Sequence, residues 1–245
     1  MIAHIISTGD ELLLGDIVDT NASSLCRRLR DVGIRVDRTF SVGDDPALIS
    51  ETLIQSSRQA EVCMVTGGLG PTRDDLTAKA AADAAGLDLI LNNDALASMK
   101  TFFIQHELEW TPENEKQAML PAGAAILYNA CGTAPGFSFQ LNRCTFFFLP
   151  GPPVEMKMMF QNEVIPLIKA RFNTVHQIIV NRITVFMLKE SALGARLGGF
   201  ELRFPEFSLG IRVSFPTIEV KIRFKQQPSD IKIARSRIDD ARQWV

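Results

Sequence analysis

The stretch Thr66-Gly67-Gly68-Leu69-Gly70-Pro71-Thr72-Arg73-Asp74-Asp75-Leu76-Thr77 sets glycines after an apolar run and two adjacent carboxylates before a helical pattern. Strand, glycines, helix start is the geometry that presents free backbone N–H groups to an anion. It is neither the P-loop GxxxxGK[ST] nor the fingerprint GxGxxG. A phosphate beside two acids is repelled unless a divalent cation bridges them. Asp75 is placed as a cation ligand or base. The competing reading makes Asp74 or Asp75 an N-cap of the next helix.

Three further segments have the same character. Ser7-Thr8-Gly9-Asp10-Glu11 runs on through Gly15 to Asp19-Thr20-Asn21, and crowds two acids between a strand and a turn. Such crowding is costly without a cation or donor nearby, although a solvated loop also accounts for it. Val42-Gly43-Asp44-Asp45 is the second. The third is Leu149-Pro150-Gly151-Pro152-Pro153, a rigid turn whose following N–H groups suit an anion or only join strand to helix. Asn114 and Lys116 follow the helix start Thr111-Pro112, and Lys116 reaches a phosphate or is simply solvated. Gly132-Thr133-Ala134-Pro135-Gly136 alternates flexible and rigid residues, as a loop close to a ligand does.

These segments need strands to position them. His4–Thr8, Ile34–Val42 and Val62–Val65 read as strands, the last apolar on both faces as a central parallel strand is. Ala22, Leu25, Cys26, Leu29 and Val32 repeat at helical spacing, with Thr20 or Asn21 as N-cap and Gly33 as C-cap. Asp45-Pro46 opens a second helix, and a third ends at Gly86. Leu87–Leu91 continues the alternation as a strand, followed by a helix from Asn93 or Asp94 and the helix start at Thr111-Pro112. Phe137–Leu141 and Cys144–Leu149 pair as a hairpin, and Pro152 or Pro153 opens a helix carrying Met156, Met159, Phe160 and Val164, with its methionines in packing roles. Repeated βα units predict a sheet with helices on both faces, and ligands in such sheets sit beyond the carboxyl ends of the strands, where all four segments fall. Near Asn173 the character changes: a strand over 178–188, a helix with Leu193 and Leu197, a hairpin around Pro216, and a last helix capped by Ser229 with Ile231, Ile233, Ala234 and Ile238.

The 245 residues carry 46% hydrophobic and 22% charged side chains, enough for one large or two small cores. No run approaches the roughly 20 apolar residues of a membrane span, and MIAHIISTGDE is not a signal peptide. Cys26, Cys63, Cys131 and Cys144 form no CxxC pair and read as reduced thiols of a cytoplasmic protein, with Cys26 and Cys63 buried. His4, His106 and His176 are scattered, so a zinc site is not expected and any cation would be a hard one such as magnesium or manganese. Residues 1–176 hold 14 Lys+Arg against 21 Asp+Glu, and residues 177–245 hold 12 against 7. Alternating charges on a solvated strand face explain the basic end most simply.

Taken together, the segments resemble the competence/damage-inducible protein A (CinA) family. STGDELLLGDIVDTN, TGGLGPTRDDLT, LPAGAAILYNACGTAPGF and LPGPPVEM stand in that family's order and spacing. ESALGARL and GIRVSFPTIEVKIRF resemble its following KH-like domain. The resemblance stops before a third domain, where many members carry nicotinamide-nucleotide amidase activity, so that domain and activity are not expected here. It implies an α/β fold: a three-layer αβα molybdopterin-binding-like domain over residues 1–172 and a small α+β KH-like domain over 173–245, in a homodimer. The activity it implies is that of an ADP-ribose pyrophosphatase, releasing AMP and ribose 5-phosphate with a divalent cation. Asp75 matches the Asp of the superfamily's GGxG…Asp arrangement, and Asp44 the acidic residue after the second strand. A nucleic-acid KH unit needs a GxxG loop, and only Gly194 and Gly198-Gly199 are present, so nucleic acid is not an expected partner; the lack of a long apolar run makes a membrane equally unexpected.

The expectation is metal-assisted hydrolysis of a small-molecule nucleotide. Asp75, Asp44 and Lys116 would be catalytic. Thr66, Gly67, Gly68, Gly70, Thr72, Arg73, Asn114, Thr133, Gly136, Pro150 and Gly151 would bind substrate, the diphosphate resting on the glycine amides. Asp10, Glu11, Asp74 and Asp75 would hold one or two cations. The alternative is a molybdopterin-binding or molybdenum-cofactor-biosynthesis protein that holds a pterin phosphate without hydrolysing it. A third reading is a scaffold acting through its basic second domain.

Overall fold

The computed structural model describes residues 1–172, 180–224 and 231–245. The chain divides into two compact units, Met1–Val175 and His176–Val245. The first runs β1 (Ile2–Thr8), α1 (Asp10–Leu14), α2 (Thr20–Asp31), β2 (Arg35–Val42), α3 (Pro46–Gln59), β3 (Val62–Thr66), α4 (Thr77–Ala85), β4 (Leu89–Leu91) and α5 (Asn93–Gln105). A 3₁₀ helix (Pro112–Ala118) leads to β5 (Met119–Pro121), β6 (Ala125–Leu127), β7 (Gly136–Leu141) and β8 (Cys144–Leu149). α6 (Pro153–Met159) passes through a π-helical turn (Phe160–Val164) into α7 (Ile165–Phe172). The second unit holds β9 (Val180–Phe186), α8 (Glu190–Leu197), α9 (Phe200–Arg203), β10 (Phe207–Ser214), β11 (Thr217–Phe224) and α10 (Ile231–Trp244).

Six strands of the first unit form one sheet in the order β2-β1-β3-β8-β7-β6. β2, β1, β3 and β8 are parallel neighbours, and β7 and β6 extend the sheet antiparallel. β3 is buried along its whole length. Its two-residue period sends Cys63 and Val65 into a core with Ile49 and Leu53 of α3 and Ala80 and Ala81 of α4. Val62 and Met64 enter the opposite core with Leu25 and Leu29 of α2 and Met156 and Met159 of α6. Phe146 and Phe148 join the first core and Phe147 the second. Burial of each such ring stabilises the fold by roughly 1.5–3 kcal/mol relative to exposure. The result is the expected three-layer α/β architecture.

Several local expectations are corrected. The N-cap of α2 is Asp19, whose side chain accepts from the Ala22 N–H at 2.8 Å, and neither Thr20 nor Asn21 caps it. The C-cap is Val32, with Gly33 one residue beyond. Leu87–Leu91 shortens to β4 and does not extend the main sheet; it pairs antiparallel with β5 in a separate two-stranded ribbon. The helix start at Thr111-Pro112 yields a 3₁₀ helix closed by a capping box between Thr111 and Asn114. Cys26 is only partly buried.

In the second unit, α8, α9 and α10 cover one face of the sheet β10-β11-β9. The start of the strand expected over 178–188, the Ser229 cap, and the side chains of Ile231, Ile233 and Ala234 lie outside the described residues. Among the described residues no helix is long and apolar enough to cross a membrane.

Candidate functional site

From β1 the chain crosses to β2 on one side and then to β3 on the other, so the winding reverses between β1 and β3. Ligands of open α/β sheets collect outside the carboxyl ends of strands at such a reversal. The register sets Ser7, Thr66 and Leu149 side by side on the last rungs. The turns after β1, β3 and β8 therefore leave the sheet at one level. They enclose a cleft of about 460 Å³, lined among others by Thr8, Gly9, Asn21, Gly67, Gly68 and Gly151. That volume is within the usual range for a small-molecule site.

The floor is held by side chains far apart in sequence. Thr66 Oγ1 donates its one proton to the Pro150 carbonyl at 2.9 Å and accepts from Asn21 Nδ2 at 3.1 Å. Asn21 Nδ2 gives its other proton to the Gly151 carbonyl at 2.7 Å. Both partners leave Nδ2 no alternative assignment, so Oδ1 is the atom left over, and it is buried without a partner. Ser7 Oγ, on the neighbouring strand, is in the same state.

Glycine is required at two positions of the floor. Gly67 has a φ of +106° and Gly68 of +64°. A Cβ at Gly67 would overlap the Thr8 carbonyl oxygen, and one at Gly68 the Thr77 hydroxyl. Gly151 abuts this turn, with 3.7 Å between its Cβ position and Gly67 Cα. The Gly67 N–H is engaged by the Leu149 carbonyl at 3.1 Å, so it is not among the amides open to an anion. The N–H groups of Gly68 and Gly151 have no partner among the described residues.

One wall of the cleft is acidic, with Glu11, Asp44, Asp74 and Asp75 lining it. One oxygen each of Asp44 and Asp75 accepts from a backbone N–H. The Asp10 carboxylate accepts from the Asp44 N–H at 3.0 Å, and Asp44 from the Asp10 N–H at 3.1 Å. Asp75 Oδ2 accepts from the Thr72 N–H at 2.9 Å and the Thr72 hydroxyl at 2.6 Å. That bond closes a turn; the N-cap of α4 is Leu76, so neither Asp74 nor Asp75 caps the helix. Burial raises the Asp44 pKa, and repulsion from Asp10, Glu11 and Asp74 adds to this against the opposing bond from the Asp10 N–H.

The remaining candidates stand around this cleft. Lys116 donates to the Thr72 carbonyl, and the Asn114 carboxamide oxygen accepts from the Thr111 N–H at 2.9 Å. Gly70 and Lys116 line a separate small cavity behind the glycine turn, together with Asp75 and Gln117. Thr133 Oγ1 accepts from Gln117 Nε2 at 3.4 Å, and a Cβ at Gly136 would overlap the Phe148 carbonyl. Arg73 is exposed. Asn21, Ser7, Thr8 and Thr77 belong to the site; they lie within the candidate segments of the sequence, with no binding role expected of them. For Asn21 a signal existed: Asp19 already supplies a favoured N-cap, which leaves the carboxamide two residues later free for another use.

Residues 4–170 match the family described as "Probable molybdopterin binding domain". A CinA-like protein of Desulfosudis oleivorans is 44% identical over 100% of this chain and 59% of its own length. A CinA-like protein of Geobacter metallireducens is 42% identical over 89% of this chain and 53% of its own. The chain thus spans a little over half the length of these relatives. The crystal structure of the protein CinA, of unknown function, from Thermoplasma acidophilum superposes with a TM-score of 0.64 at 32% identity, over 68% of this chain and 99% of that one.

These findings correct the expected function. The matched family is described by molybdopterin binding, not by hydrolysis, and nothing in the relatives points to an ADP-ribose pyrophosphatase or any other hydrolase. The metal-binding expectation also falls: among the described residues no three Asp, Glu, His or Cys side chains come together to hold a metal ion. Of the four expected ligands, Asp10 accepts from the Asp44 N–H across two turns, and Asp75 accepts from Thr72 within its own turn. The chain belongs to the CinA-like proteins, and its first unit to the molybdopterin-binding domain family.

Proposed function

We propose that the first unit binds a phosphorylated pterin of the molybdopterin class in the cleft at the carboxyl ends of β1, β3 and β8. The observation that carries this reading is the meeting of two glycine turns whose Gly68 and Gly151 N–H groups have no partner among the described residues. Free N–H groups next to the starts of α2 and α4 suit a phosphate. The family match over residues 4–170 supports the ligand class. The acidic wall repels a phosphate and suits the amino and ring N–H donors of a pterin. Leu12, Ile17 and Pro152 give the ring an apolar flank.

Isothermal titration of the chain with a pterin carrying a side-chain monophosphate, with and without magnesium, tests this. Binding of one pterin per chain is expected, weaker by about tenfold or more when the phosphate is absent. Gly151→Leu fills the cleft from a position with room for its Cβ, and abolishes binding in a protein whose circular dichroism is unchanged. Equal affinity for the phosphate-free pterin, or unaltered binding by Gly151→Leu, would overturn the reading.

A further inference from the structure

The sheet β10-β11-β9 has one face that the helices do not cover. Alternation along β11 sends Ile218, Val220 and Ile222 into the core and Glu219, Lys221 and Arg223 to the other side. Register adds the neighbours: Arg182 of β9 stands opposite Lys221, and Arg212 of β10 opposite Glu219. Arg223 lays its guanidinium over Gly210, with Nη2 3.4 Å from where a Cβ would stand. Among the described residues, four cations thus share a face with one carboxylate. Glu219 pairs with Lys221 at 2.9 Å and Arg182 at 3.9 Å. Lys221 foremost, then Arg182 and Arg212, draws the Glu219 carboxyl below its ordinary pKa.

The same face carries an aromatic ring. Phe186, opposite Thr217, is 63% exposed on the side of the sheet that holds Arg182. Beyond it lie Met187 and Phe215, 76% and 93% exposed, joined through the Met187 N–H to the Pro216 carbonyl at 3.0 Å. A purely acidic surface would satisfy the cations and leave Phe186 exposed. A row of cations ending in exposed rings matches a ligand that is an anionic backbone with flat bases, because stacking and phosphate contact are needed together. We propose that this open sheet face binds single-stranded nucleic acid. It does so without the GxxG loop whose absence argued against such a partner. The residues are separate from those lining the first unit's cleft, so the two readings stand or fall independently.

Fluorescence anisotropy of the full chain with a labelled twelve-nucleotide oligo-dT, across a salt series, is the test. With four cations at the strand, log affinity falls against log salt with a slope of about −3, and Lys221→Ala/Arg223→Ala halves that slope. Phe186→Ala weakens binding by about tenfold with the slope retained. Lys221→Arg, which keeps the charge, binds as the parent does, and circular dichroism confirms that each variant is folded. No binding at low salt overturns the proposal. So does equal affinity for a duplex of the same length, or indifference to Phe186→Ala, since either reduces the face to a patch for any polyanion. A salt-sensitive self-association lost in Lys221→Ala/Arg223→Ala, without oligonucleotide binding, overturns it in favour of a second copy's acidic unit.

Discussion

Asp10 and Asp44 exchange hydrogen bonds across two turns: each carboxylate accepts the other residue's backbone N–H, at 3.0 and 3.1 Å. The exchange ties the turn after β1 to the turn after β2, and a Cβ at the intervening Gly43 would lie 2.6 Å from Asp10 Oδ1. Two carboxylates held this close repel, which is one cause of the raised Asp44 pKa, after burial.

A pH dependence follows from that shift. An acid whose folded pKa lies above its unfolded value binds more protons when folded, so its contribution to stability falls as pH rises through the interval between the two. Asp44→Asn keeps an acceptor for the Asp10 N–H and removes the charge. It is expected to raise the melting temperature at pH 7 by about 1–2 °C, an effect of roughly 0.5 kcal/mol. The gain disappears below the ordinary carboxylate range, where Asp44 is neutral in both states. Melting curves over an acidic-to-neutral series check this, and a gain that persists in acid would refute it.

Gly68 and Gly86 form a matched pair, both at a φ of +64°. A Cβ meets nothing within 4 Å at Gly86 and overlaps the Thr77 hydroxyl at Gly68. Gly86→Ala is expected to cost about 1 kcal/mol, the left-handed penalty alone. Gly68→Ala costs about 3 kcal/mol, because crowding is added. Thr77→Ala in the Gly68→Ala background recovers part of the difference, a non-additivity that urea melts of the two single variants and the double variant resolve.

Asn21 joins the start of α2 to residues 45 and 130 positions away in the chain. Asn21→Ala leaves the Gly151 carbonyl and Thr66 hydroxyl short of a donor, at about 1–2 kcal/mol. Asn21→Asp is the more damaging change, by roughly a further 1–2 kcal/mol, since it sets a carboxylate against the Gly151 carbonyl. Equal stability of the two variants in denaturant would show that the donors do not hold the floor together.

All four thiols are free. Burial pushes Cys63 well above its ordinary pKa and Cys144 up to about 12. Cys26 is raised as well, by partial burial first and then Asp19. Iodoacetamide near neutral pH should therefore modify Cys131 first, Cys26 slowly, and Cys63 and Cys144 only after unfolding in urea. Peptide mass spectrometry reads the order directly, and early labelling of Cys63 would contradict the buried β3.

Local signals were legible in the sequence because they depend on residues a few positions apart. The apolar run Val62–Val65 announced a central strand, and Asp45-Pro46 opened α3 with its side chain on the Ala47 N–H at 2.8 Å. The positions of the glycine turns at strand ends followed from the same alternation. What the turns do was settled by long-range register. Only the alignment of Ser7, Thr66 and Leu149 brings Asn21, Thr66 and Gly151 together, and only the tertiary structure shows that Asp10 and Asp44 each accept the other's backbone N–H. The basic strands of the second unit repeat the lesson. Their alternating charges read as a solvated face, and strand pairing adds that Arg182, Arg212 and Lys221 stand around Glu219. Register is chosen by burial of the whole sheet, so the partners of a polar side chain across strands are not encoded near it in the chain.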